Sequence, residues 1–176
     1  MSSVKSAVLI IDVQSGIFDS NPKPFEAELV IDRINHVIEK AKGSNIPVIY
    51  IQHEMPEYLE YNSARWQLQS DLTTSKNDIS VRKTTGDSFL QSDLDEKLKV
   101  LNVTNLLICG YASEICVDTT TRRATGLGYT IQLISDAHTT HDKQHLSALK
   151  IREHHNITLS MAPTITVVKS ESVQFV

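Results

Sequence analysis

Three side chains with reactive groups stand where apolar runs give out: Asp12 after "AVLII", Lys83 after "ISVR", and Cys116 within "GYASEIC" (110–116). A thiol becomes a nucleophile when ionised, a carboxylate can take its proton, and an ammonium can balance the charge between them. Asp12 interrupts an apolar stretch, and a buried carboxylate is costly unless something pairs with it; Lys83 supplies the opposite charge. With Ser113 as an N-cap, Cys116 falls in the first turn of a helix, where unpaired N–H groups and the helix dipole favour an anion. Its thiol is then expected to ionise more easily than a free cysteine. A capping box would place Glu or Gln there; this chain places cysteine. Taken singly, Cys116 also reads as a small buried hydrophobe and Asp12 with Lys83 as a structural ion pair. Cys109, in the middle of an apolar run, is assigned to the core.

The elements that must bring these residues together follow from periodicity. Short apolar runs at 7–13, 47–53, 78–83, 105–111, 129–137 and 164–168 alternate with stretches of helical period. Continuous rather than alternating apolar character marks strands covered on both faces. The pattern predicts an α/β fold: a three-layer αβα, Rossmann-like arrangement with a mostly parallel sheet of about six strands. Val30, Ile34, Val37, Ile38 and Ala41 mark a helix closed by Gly43, and Leu94, Leu98 and Leu101 one started by Ser92. Further helices are expected over 114–125 and from Asp142 to about His154. In an open parallel sheet, ligands bind beyond the carboxyl ends of the strands. Asp12, Lys83 and Cys116 all fall at that edge, which favours a shared chemical role over three separate structural ones.

Length, composition and charge bound the partners. The 176 residues suit a single domain over 1–176, and a net charge of −4 argues against nucleic acid or an anionic membrane surface. A small-molecule substrate is expected. No apolar run approaches the roughly 20 residues a membrane span needs, and the N-terminus lacks a signal-peptide pattern, so a cytoplasmic location is expected. Two cysteines seven apart are read as thiols, and no C-x-x-C pair suggests structural zinc. The segment from Glu54 to Lys76 has no clear period and holds the single tryptophan, Trp66; such a loop is functional or poorly ordered.

The blocks "LIIDVQSGIF" (9–18), "VRKTTGDSFLQSDL" (81–94) and "LLICGYASEICVDTTTRRATGLGYTIQLISDA" (106–137) resemble the isochorismatase-like superfamily of cysteine hydrolases, related to nicotinamidases and ureido-acid amidohydrolases. The resemblance implies Cys116 as nucleophile, Asp12 as general base and Lys83 as the orienting cation. It further implies a cis peptide between Tyr111 and Ala112, with the N–H groups of Ala112 and Cys116 forming an oxyanion hole. The implied reaction is amide or related C–N cleavage through a thioester, with no organic cofactor, in a homodimer or homotetramer. Phe175 and Val176 are apolar ends in need of cover.

The chain departs from the nicotinamidase pattern. Where those enzymes carry a metal-binding Asp-x-His, this sequence has His53 and Met55, and methionine is a poor ligand for a hard divalent ion, so no metal site is expected. The usual aromatic five residues past Asp12 is Ile17, with Phe18 next. Gln14, Ile17, Phe18, Trp66 and Tyr111 are the candidates for the pocket wall. His141 and His145 would share a face of the last long helix, a solvated surface rather than a metal site. Two other functions stay open: vinyl-ether hydrolysis of the isochorismate type, and a non-catalytic binding or scaffold domain.

Overall fold

The computed structural model describes residues 5–176; the first four residues, part of the N-terminal stretch read above for a signal-peptide pattern, lie outside that range. Six parallel strands form one sheet: β1 (Ser6–Ile11), β2 (Val48–His53), β3 (Ile79–Lys83), β4 (Asn105–Tyr111), β5 (Thr130–Thr139) and β6 (Ile165–Val168), in the order β3-β2-β1-β4-β5-β6. Five α-helices connect them: α1 (Ser15–Phe18), α2 (Ala27–Gly43), α3 (Leu94–Val100), α4 (Asp118–Gly126) and α5 (Ala148–Ser160). A π-helical turn (Ser113–Val117) leads into α4, and a 3₁₀ turn (Ser170–Ser172) follows β6.

The central strand β1 is buried along its whole length, and its side chains alternate between two cores. Val8 and Ile10 join Val30, Ile34, Val37, Ile38 and Ala41 of α2 on one face. Ala7, Leu9 and Ile11 join Leu94 and Leu98 of α3, Ala124 of α4 and Leu159 of α5 on the other. Each fully buried valine, leucine or isoleucine contributes roughly 1.5–3 kcal/mol by leaving water. The predicted helices over 30–43 and 94–101 are present, the second with Asp93 rather than Ser92 at its N-cap.

The last long helix differs from expectation. It begins at Ala148, because the Ser147 side chain accepts from the Lys150 N–H and the Asp142 carboxylate reaches forward to accept from the Ala148 N–H at 2.7 Å. His141 and His145 therefore share no helical face. His141 lies in the loop after β5, with its Nδ1 2.8 Å from the Tyr111 hydroxyl.

The chain runs outward from β1 through β2 to β3, then returns to the other side of β1 as β4. The direction of winding reverses between β1 and β4, so a crevice opens beyond their carboxyl ends. Their closeness there depends on Gly110, which has φ of +118° and follows an irregularity in the β4–β5 register. A Cβ on Gly110 would lie 2.0 Å from the Ile11 carbonyl oxygen, so only glycine permits this approach.

Candidate active site

Each strand that ends at the crevice delivers one polar group. Asp12, directly after β1, takes φ of +54°, a left-handed conformation that aspartate tolerates better than most residues, while its N–H remains bonded to the Ile51 carbonyl at 2.8 Å. Lys83 closes β3, and the β2–β3 register sets His53 directly beside it. The Lys83 side chain passes over the end of β2 and is wholly buried. Its Nζ donates to Asp12 Oδ2 at 2.7 Å and to the Thr85 carbonyl at 3.0 Å, lies 2.7 Å from His53 Nδ1, and reaches Cys116 Sγ at 3.3 Å. Asp12 Oδ1 is buried and finds no hydrogen-bond partner among the described residues. The carboxylate is thus held by one oxygen and left open at the other.

Cys116 lies in the π-helical turn rather than in the first turn of a capped α-helix. Ala112 occupies the N-cap position; its carbonyl accepts from the N–H groups of Ile115 and Val117, both at 3.1 Å. Ser113 turns inward, its hydroxyl 2.8 Å from His138 Nδ1, and His138 Nε2 is 2.9 Å from Asn156 Oδ1 on α5. Burial holds His138 neutral, its pKa pushed down to about 4. This buried relay ties the cysteine turn to the helix behind it. The Tyr111–Ala112 peptide is cis.

The expectation of an easily ionised thiol is overturned. Burial, reinforced by the charge of Asp12, pushes the Cys116 thiol up to about 12, and the opposing pull of Lys83 does not offset it. Desolvation penalises the thiolate more strongly than the start of this helix favours it. Cys109 is fully buried and also held protonated, as its mid-strand place suggested.

A cavity of about 440 Å³ opens onto Cys116. Ile17, Met55, Tyr58, Leu59, Tyr111 and Ile115 form its apolar wall, and Asp12, His53, Ala112 and Cys116 its reactive floor. Of the five residues expected to line it, Ile17 and Tyr111 do. Gln14 does not: its side chain is fully buried and clasps the end of β2, accepting from the His53 N–H at 2.8 Å and donating to the carbonyls of His53 and Trp66 at 3.0 and 2.8 Å. Phe18 lies in the core behind the wall, edge-on to Tyr111. Trp66 does not line the cavity either: its ring packs edge-on to Tyr61, and its backbone carbonyl accepts from the side-chain amides of Gln14 and Gln52. The loop after β2 instead contributes Tyr58 and Leu59, with Met55 and Leu59 paired as a single β-bridge.

His53, Met55, Tyr58, Leu59 and Ile115 escaped the sequence reading as pocket residues. For His53 the signal was present, since it ends a strand at the same edge as Asp12 and Lys83. Ligand atoms of Asp12, His53 and Cys116 lie within 4.8 Å of one another. The Lys83 ammonium already serves Asp12 and His53 at 2.7 Å, so a divalent ion would have to displace a buried cation.

The structure is a doubly wound α/β protein with a carboxylate, an ammonium and a thiol gathered at its switch point. The model of the isochorismatase domain matches residues 6–167, and the chain belongs to the isochorismatase family, whose members are hydrolases. It is 32% identical to a streptothricin hydrolase of Streptomyces noursei over 138 residues, which are 77% of this chain and 50% of that protein. It is 25% identical to the ureidoacrylate amidohydrolase RutB of Caulobacter vibrioides over 170 residues, 75% of this chain and 76% of that protein. The crystal structure of an isochorismatase family protein superposes with a TM-score of 0.88 at 35% identity, covering 93% of this chain and 98% of the other. The chain spans about half the length of the Streptomyces noursei hydrolases it matches. Among the described residues no helix is long and apolar enough to cross a membrane.

Proposed function

We propose that this protein is a cysteine hydrolase that cleaves a small amide or related C–N bond without a metal ion. The observation that carries this reading is the divided Asp12 carboxylate: Oδ2 is held by Lys83, Oδ1 is buried and without a partner among the described residues, and a carboxylate oxygen lies within 4.8 Å of the Cys116 sulfur. Keeping an acceptor dry and unpaired is costly, and it serves a group that must take a proton during reaction. In the first step Asp12 takes the Cys116 proton as the sulfur bonds to the substrate carbonyl carbon, and the carbonyl π pair moves onto oxygen. The N–H groups of Ala112 and Cys116 face the resulting oxyanion. The oxyanion collapses, the C–N bond breaks, and Asp12 returns the proton to the departing nitrogen, leaving a thioester. Water then attacks that thioester, gives a proton to Asp12, and Cys116 leaves with it.

The wall sets the substrate class. The wall is apolar and, among the described residues, no arginine or lysine lines the cavity, so the substrate body is apolar and uncharged. The names of the streptothricin hydrolase and the ureidoacrylate amidohydrolase support hydrolysis as the reaction type; the cavity itself offers no cation for a carboxylate such as that of ureidoacrylate.

Replacing Cys116 by Ala tests the reading. Turnover across a panel of small apolar amides should vanish while the urea unfolding curve stays close to that of the parent. Turnover that survives in Cys116→Ala but is lost in Asp12→Ala would instead mark acid-dependent chemistry of the vinyl-ether type.

A further inference from the structure

His53 is the one residue on the cavity floor that the reaction just described leaves without work. It lies beside Lys83 in the β2–β3 register, its backbone is clasped on both sides by the Gln14 amide, and its ring contacts both the buried ammonium and the cavity. An ammonium donates hydrogen bonds and accepts none, so the 2.7 Å contact from Lys83 Nζ requires a lone pair on His53 Nδ1. Burial and the adjacent Lys83 charge keep a second proton off the ring. The neutral ring must then carry its hydrogen on Nε2. Among the described residues Nε2 has no hydrogen-bond partner, although the ring is largely buried. Lys83 thus sets the tautomer, and the tautomer turns a donor toward the substrate.

We propose that His53 is a specificity-determining residue whose Nε2–H donates to a second acceptor on the substrate, separate from the oxygen that becomes the oxyanion. This rests on Cys116 being the nucleophile, and it narrows the substrate class to apolar, uncharged amides that carry a carbonyl, imine or ether acceptor near the scissile group. Apart from the backbone N–H groups and the Tyr58 and Tyr111 hydroxyls, which already bond Gly16 and His141, the lining offers this one directional donor. A donor fixed in an otherwise apolar site discriminates strongly, because a substrate lacking the acceptor leaves it unpaired.

Two substitutions separate the two ring nitrogens. His53→Asn keeps an acceptor near the position of Nδ1 and removes the outer donor; His53→Gln places an amide N–H near the position of Nε2. The test compares the rate of Cys116 alkylation by iodoacetamide, which carries a carbonyl acceptor, with that by benzyl bromide, which carries none. Taking the ratio of the two rates cancels changes in thiol ionisation. The ratio should fall about tenfold in His53→Asn and recover in His53→Gln. The 15N spectrum of histidine-labelled protein at pH 7 should show His53 as the neutral Nε2–H form. A ratio unchanged within twofold in His53→Asn, or a 15N signal of an Nδ1–H ring or an imidazolium, would overturn the proposal. If Cys116 in the parent protein reacts with neither reagent, the nucleophile reading fails and the proposal falls with it, an outcome distinct from an unchanged ratio with a reactive Cys116.

Discussion

Replacing Lys83 by Met should be among the most damaging single changes outside the hydrophobic core. The methionine nearly matches the aliphatic stem in volume, so the effect isolates the charge. Across the 2.7 Å contact with Asp12 Oδ2, Coulomb attraction at an effective dielectric of about 20 amounts to roughly 6 kcal/mol, much of which offsets the desolvation of two buried ions. Removing one partner keeps the desolvation cost of the other, and Asp12 is 1% exposed. The expected loss is about 3–5 kcal/mol. With a urea slope of roughly 2 kcal/mol per molar, the unfolding midpoint should fall by about 2 M. The double variant Asp12→Asn with Lys83→Met should recover about 2 kcal/mol, because the stranded charge is gone, while His53 Nδ1 and the Thr85 carbonyl still lack their donor. A loss below about 1 kcal/mol in the single variant, or a double variant no more stable than Lys83→Met, would refute the account of Asp12 as a buried charge held by Lys83.

Three further outcomes follow from the same geometry. Alkylation of Cys116, read by peptide mass, should keep rising with pH beyond 9, since burial and Asp12 hold the thiol up; Asp12→Asn should lower that pKa and speed alkylation at pH 8 while slowing amide turnover at least about a hundredfold. His138, with a folded pKa of about 4 against an ordinary value of 6.5, binds fewer protons folded than unfolded between those values; stability is full above pH 6.5 and is lost by roughly 3 kcal/mol as pH falls toward 4, a component that urea titrations at pH 7 and 5 should find missing in His138→Gln. Gly110→Ala would drive a methyl group into the Ile11 backbone at a left-handed φ, and circular dichroism should show no cooperative native transition; a protein within 1 kcal/mol of the parent would show that β1 and β4 need not touch there.

How far the sequence could be read depended on whether the deciding interaction was local. Strands β1, β2 and β4 announce themselves as unbroken apolar runs because both of their faces are covered, and α2 by its 3.6-residue stripe. Asp12, Lys83 and Cys116 were found from a general property of parallel sheets, that the carboxyl ends of their strands share an edge. What stayed hidden was set by distant partners. Ser113 looks like a helix cap until His138, 25 residues on, claims its hydroxyl. Gln14 is a polar residue at a strand end whether it faces a substrate or clasps a neighbouring backbone, and only the position of His53 decides between the two. Helix-dipole reasoning places Cys116 near positive potential, but its depth below the surface belongs to the whole fold, and that depth governs its proton.

The contact at Gly110 bears on how this site tolerates change over generations of substitution. Asp12 follows Ile11 by one residue and Cys116 follows Gly110 by six, so their separation is measured from two main chains in direct touch. Side chains in the hydrophobic layers can shrink, grow or swap, and the protein will lose stability before that spacing drifts. Much of the cavity wall has no such anchor: Met55, Tyr58 and Leu59 come from a single loop, and Ile115 projects half exposed from its turn. Reactive centre and substrate choice are therefore separable heritable traits in this architecture, one fixed by backbone contact and the other free to be rewritten a loop residue at a time.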